Sequence, residues 1–224
     1  MYISLSSSKV SYACAISQSI IDYVGKGETQ FFDWLVCSLK SVNEILEGIS
    51  IEIDKETRYF NNQKSISVQF KGCHQMTSHH DLPDFSEESI IKMNDKYKRR
   101  YIRLIDNIKS ITNIKFIRYC RDNTDIEEAQ IFRFYDNIKK INNDSNFSFI
   151  LVTDNNDLNI SKEVLELKQF RFINLNNEMD DDTKKESASY SKIVKSYKCI
   201  YSLENNVEAN RLGYHLLKGC LAAL

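Results

Sequence analysis

The sequence predicts an α/β protein: a mostly parallel sheet with helices on both faces, plus a β-hairpin excursion around residues 50–70. Three observations carry that expectation. Short apolar runs at 2–5, 114–119, 147–153 and 170–175 are separated by longer stretches with helical spacing. The run at 147–153, Phe-Ser-Phe-Ile-Leu-Val-Thr, is the most apolar of them and is expected at the centre of the sheet, covered on both faces. Between 49 and 70 the pattern changes to alternation, Ile49-Ser-Ile51-Glu-Ile53 and Ile66-Ser-Val68-Gln-Phe70, which gives each strand one wet face.

The first strand, from Tyr2, breaks into Ser6, Ser7, Ser8 and Lys9, and a helical pattern (Ala13, Ile16, Ile20, Val24) starts directly after it. A strand-to-helix corner of this kind is where α/β proteins usually hold ligands, because the helix offers free N–H groups there. Gly25 and Gly27 stop that helix. Phe31 to Leu46 reads as a second amphipathic helix with Asp33 near its start, closed by Gly48. Pro83 forbids helix immediately before it, so His74, His79, His80 and Asp81 are expected on a loop. Asp84-x-x-Glu87 has the form of a capping box and opens the longest helix, with Ile90, Tyr97, Tyr101, Leu104, Ile108 and Ile111 on one stripe. Lys96, Lys98, Arg99, Arg100 and Arg103 occupy its other face. A second capping box, Thr124-x-x-Glu127, leads a helix to Ile141. Residues 176–191 read as a polar loop, 199–203 as a short last strand, and the chain from about Val207 as a closing helix.

A chain of 224 residues is expected to form one domain over 1–224. Thirty basic against 31 acidic residues leave a net charge of -1, so no global field draws the protein to nucleic acid or to anionic lipid. No apolar stretch approaches the roughly 20 residues of a spanning helix, and the N-terminus lacks a secretory pattern. A cytoplasmic protein without a membrane or nucleic-acid partner is the expectation, with no oligomeric state implied. The six cysteines show no Cys-x-x-Cys pair and no zinc spacing, so neither disulfides, nor a metal, nor a cofactor is expected. Walker and dinucleotide glycine motifs and Gly-x-Ser-x-Gly are absent as well.

Four groups of residues could carry chemistry. Ser6, Ser7 and Ser8 offer hydroxyl nucleophiles beside Lys9, a base only if burial lowers its pKa; the same serines suit a helix cap equally well. His74, His79, His80 and Asp81 offer a general base in His79 or His80, a three-histidine metal site that loop spacing supports only weakly, or solvated side chains. Asp33 with Trp34 can orient a histidine, line a pocket, or cap and pack a helix. Arg100 and Arg103 can grip an anionic group or face water.

In this order and spacing, Ser4-Leu5-Ser6-Ser7-Ser8-Lys9, Phe32-Asp33-Trp34, His80-Asp81-Leu82-Pro83, Arg99-Arg100-x-x-Arg103 and the strand ending at Arg118 resemble a family of bacterial and viral domains described as papain-like cysteine peptidases. The resemblance covers about residues 2–155. It implies an opening Ser-Leu-Gly-x-x-Cys, in which Ser6 stands at the glycine and Lys9 at the cysteine. A lysine cannot perform thiolate attack. The resemblance therefore implies a hydrolase- or transferase-type domain with cysteine chemistry lost or altered. Its pocket would combine Ser6, Ser8, Asp33, His80 and Asp81 with Ser7, Lys9, Trp34, His79, Arg100 and Arg103. The other reading is a non-catalytic module for a small anionic or sugar-like ligand, a peptide, or a protein partner.

Overall fold

The structure, a computed structural model, describes residues 1–7, 16–17, 20–21, 27–60, 66–73, 75–120, 128–153 and 155–174, with the side chains of residues 56–60 and 80 outside that description. The expected loop at 176–191, strand at 199–203, C-terminal helix and Thr124 capping box lie outside the described residues. Among the described residues the elements run β1 Tyr2–Ser4, β2 Leu35–Cys37, α1 Leu39–Leu46, β3 Ile53–Phe60, β4 Ile66–Phe70, β5 Met76–Leu82, α2 Glu87–Ser110, β6 Asn113–Tyr119, α3 Glu128–Ile141, β7 Asn146–Thr153, α4 Lys162–Leu165 and β8 Phe170–Asn174. Helical backbone is also present at residues 16–17 and 20–21.

The apolar runs assemble as a parallel sheet in the order β1-β6-β7-β8, with β7 internal. Alternation along β6 and β7 feeds two clusters. On one side Phe116, Phe147 and Phe149 meet Phe134 of α3, ring centroids 5.1 to 6.2 Å apart and edge-on. In the other cluster Ile16 joins Ile117, Tyr119, Ile150 and Val152.

The hairpin excursion is larger than its alternation indicates. β3 and β4 pair as expected, but β5 and β2 extend them into a four-stranded antiparallel sheet, β2-β5-β4-β3. Two expectations are corrected here. The histidine segment is strand β5, not a loop: Pro83 forbids helix before it but is content with extended backbone. The stretch from Phe31 to Leu46 is not one helix. Residues 31–34 turn, Trp34 takes a left-handed φ of 68°, and Leu35–Cys37 pair with β5. Ser38 then caps α1 by accepting a hydrogen bond from the Ser41 N–H at 3.1 Å. Likewise α2 is capped by Ser86, which accepts from the Ser89 N–H, while Asp84 accepts from the Ser86 N–H at 2.9 Å in an Asx turn.

The two sheets meet edge to edge at a narrow seam. Ser7, one step past the bend at the end of β1, bridges in parallel to Val36 of β2, and its carbonyl accepts from the Cys37 N–H at 2.9 Å. Arg118, 1% exposed at the far end of β6, spans the seam: Nη1 donates to the Leu5 carbonyl at 3.0 Å, and Nη1 and Nη2 both donate to the Cys37 carbonyl at 3.2 Å. A buried guanidinium thus satisfies one carbonyl from each sheet. No helix among the described residues is long and apolar enough to cross a membrane.

Candidate functional site

The seam opens onto the corner that follows β1. Leu5 still pairs with β6 through its N–H and the Ile117 carbonyl at 2.7 Å; Ser6 then turns the chain with φ 58°. That left-handed conformation suits glycine and is uncommon for a serine. By the register of the resemblance, Ser6 stands where the motif has its glycine. The fully buried Ser6 hydroxyl donates to the Leu35 carbonyl, one residue beyond the second left-handed position, Trp34. Ser7 is equally buried, and Ser8, Lys9, Cys14 and His74 lie outside the described residues.

Asp33 is 7% exposed and accepts from the Gln30 N–H at 2.6 Å. Burial raises its pKa, and the Gln30 N–H, the nearby Ser17 hydroxyl and the Arg100 charge pull it back without cancelling the rise. The Ser17 side chain is itself buried beside that carboxylate. Arg100 lies with its guanidinium carbon 5.1 Å from the centroid of the Tyr97 ring, and its charge acts on Asp33 and Asp81 together. Its Nη1 is sealed from solvent and unpartnered. Tyr97 is a rigid platform, fully buried between Phe31 and Phe70 at 5.6 and 4.8 Å.

Asp81 reaches this platform because β5 bulges. Val68 pairs with Ser78 and Ile66 with Leu82, so the single residue Ser67 of β4 faces His79, His80 and Asp81. The extra length re-aims Asp81 toward α2. Its carboxylate accepts from Lys96, from the Tyr97 hydroxyl, and from the Ser78 hydroxyl at 3.2 Å. Burial pushes its pKa up, but Lys96, Tyr97 and Arg100 outweigh that and leave it lowered. Burial and the Asp81 charge hold the Tyr97 phenol well above its ordinary value.

The structure thus brings Asp33, Asp81 and Arg100 together, and Ser6 close to the Trp34–Leu35 peptide. Other expected members go elsewhere. Arg103 is spent on the Thr29 carbonyl at 2.9 Å and on Glu28 at 3.1 Å. The His79 Nδ1 is 2.6 Å from the Ser67 hydroxyl across the β4–β5 pair, and the His80 side chain is outside the description. Cys37 lies at the corner, its Sγ 3.6 Å from the Leu5 carbonyl. Burial pushes its thiol up to about 11 against the opposing pull of Arg118 and Ser6. A buried neutral thiol is a poor nucleophile. Among the described residues no group of three or more His, Cys, Asp or Glu could hold a metal.

Sequence reasoning missed Ser17, Lys96, Tyr97 and Arg118 as parts of this corner. Arg118 carried a signal: a cation inside an otherwise apolar parallel strand has no wet face to turn to. Lys96 and Arg100 stand four apart, on one helix face, so a shared carboxylate was foreseeable in kind. Ser17 carried none.

Residues 10–157 match the family described as Putative papain-like cysteine peptidase (DUF1796). No curated protein and no solved structure matches the chain.

Proposed function

The chain belongs to the family described as Putative papain-like cysteine peptidase, and on that premise we propose that this member binds its ligand at the β1 corner without cysteine turnover. One observation carries the choice of site: left-handed backbone, a buried acid with a raised pKa and unpartnered guanidinium nitrogens occur together there. Ser6 and Trp34 hold left-handed backbones at φ 58° and 68°, Asp33 is an under-compensated buried acid, and Arg100 Nη1 and Arg118 Nε are buried without a hydrogen-bond partner. Strain and unpaired polar groups of this kind persist where function requires them. The loss of turnover rests on chemistry. In the family register the nucleophile position holds Lys9; the Cys37 thiol is buried and neutral; the Ser6 hydroxyl is committed to a backbone carbonyl. Arg100 is the cation left for ligand, since Arg103 is occupied by Glu28 and Thr29.

Labelling of the full chain with iodoacetamide and with a fluorophosphonate, mapped by mass spectrometry, tests this reading. The expected result is slow, unselective thiol labelling and no labelled serine. Fast modification of one corner serine or cysteine, abolished by His80→Ala or His79→Ala, would restore a catalytic assignment.

A further inference from the structure

We propose that the outer ridge of α2 is a self-association surface, on which a second copy of this chain packs antiparallel. The helix spans 24 residues, a length of roughly 36 Å. It buries Ile90, Met93, Tyr97, Leu104 and Ile108 on its inner face. Two isoleucines are left outside: Ile91 is 53% and Ile102 59% exposed, the most exposed large apolar side chains among the described residues. Ile91, Asp95, Lys98 and Ile102 follow one another at steps of four, three and four, so all lie on one stripe of the helix. Asp95 and Lys98 are exposed, and neither is engaged in an ion pair among the described residues.

A lone exposed isoleucine is ordinary on a protein surface. What singles out this pair is that the stripe is complementary to itself. In a two-fold pair, residue i of one copy meets residue j of the other, and j meets i. With the axis midway between Asp95 and Lys98, Ile91 faces Ile102 of the second copy and Asp95 faces Lys98, each contact occurring twice. Antiparallel packing also sets the two helix dipoles head to tail. A parallel pair would put Asp95 against Asp95 and Lys98 against Lys98, so charge selects the antiparallel one. The net charge of -1 adds little general repulsion between copies. A contact along one helix lies at the low end of specific interfaces, and the dimer is accordingly weak and concentration-dependent. Lys96 and Arg100 lie roughly 100° or more round the helix from the stripe, so the dimer leaves the β1 corner open.

The test is sedimentation equilibrium of the full chain at neutral pH and low salt, with a reductant to keep its six cysteines from linking copies. The parent chain should pass from monomer to dimer as its concentration rises from micromolar to millimolar. Asp95→Lys and Lys98→Asp each set like charges face to face and should weaken the dimer at least about tenfold. Combining the two exchanges the signs and restores the pairing, so the double variant should return to within about threefold of the parent. All these positions are exposed, and circular dichroism should show an unchanged fold in every variant. A parent chain that stays monomeric over the whole range overturns the proposal. A dimer indifferent to either single reversal also overturns it, as does a double variant no tighter than the single ones.

Discussion

At the scale of single residues, the corner is built from choices that physical chemistry disfavours one at a time. Ser6 shows the balance best. A left-handed serine costs about 1 kcal/mol over glycine, and its hydroxyl bond to the Leu35 carbonyl returns about the same. Ser6→Ala keeps the strain and loses the bond, so chemical denaturation should find it about 1–3 kcal/mol less stable, whereas Ser6→Gly should stay within about 1 kcal/mol of the parent. Asp33 makes a pH prediction. Its folded pKa is raised above the ordinary 3.8, so its contribution is favourable when protonated and is lost as pH rises through the folded value. Asp33→Asn should therefore raise Tm near neutral pH, with the gain shrinking as pH falls through the raised folded value and gone once pH is below the ordinary one. A stabilising loss of a site residue is the usual mark of activity gained at the expense of stability. Arg118→Met removes the partner of the Leu5 and Cys37 carbonyls and should cost about 3 kcal/mol.

Elements position these residues through two departures from regularity. The β5 bulge turns Asp81 from the outer face to the Tyr97 platform, and the turn at residues 31–34 sends the chain from Asp33 into β2 rather than into a helix. Neither departure was legible. His79, His80 and Asp81 lack the apolar alternation of a strand, since a bulge breaks the period on which strand reading depends. Leu35, Val36 and Cys37 are too few to show any period, and their spacing from Leu39 and Val42 mimics a helix. The long helix α2 and the parallel strands β6, β7 and β8 were legible, because each rests on a long apolar pattern. His79 went to Ser67 for a reason outside local pattern: strand register across β4 and β5 decides it. Deleting two of the three residues 79–81 should restore regular pairing and strip Asp81 from Lys96 and Tyr97; the loss would register as a fall in Tm.

At the scale of the whole molecule, the described residues form two four-stranded sheets sharing one seam, with the left-handed Ser6 and Trp34 at the seam and a well-packed aromatic cluster around Phe134 on one side of the parallel sheet. Phe134→Ala, far from the corner, should cost about 4 kcal/mol without changing ligand preference. That separation lets the parallel sheet hold the corner steady while the corner itself stays poorly satisfied. In the proposed reading the resemblance puts a cysteine nucleophile at position 9, and the most direct measurement is the pH dependence of iodoacetamide alkylation at that position in Lys9→Cys, resolved by peptide mapping. The account predicts a midpoint well below the ordinary thiol value of about 8.5, as for cysteines in electropositive surroundings, with no comparably fast site in the parent chain. A midpoint at or above that ordinary value would contradict it, and so would an equally reactive cysteine already present in the parent.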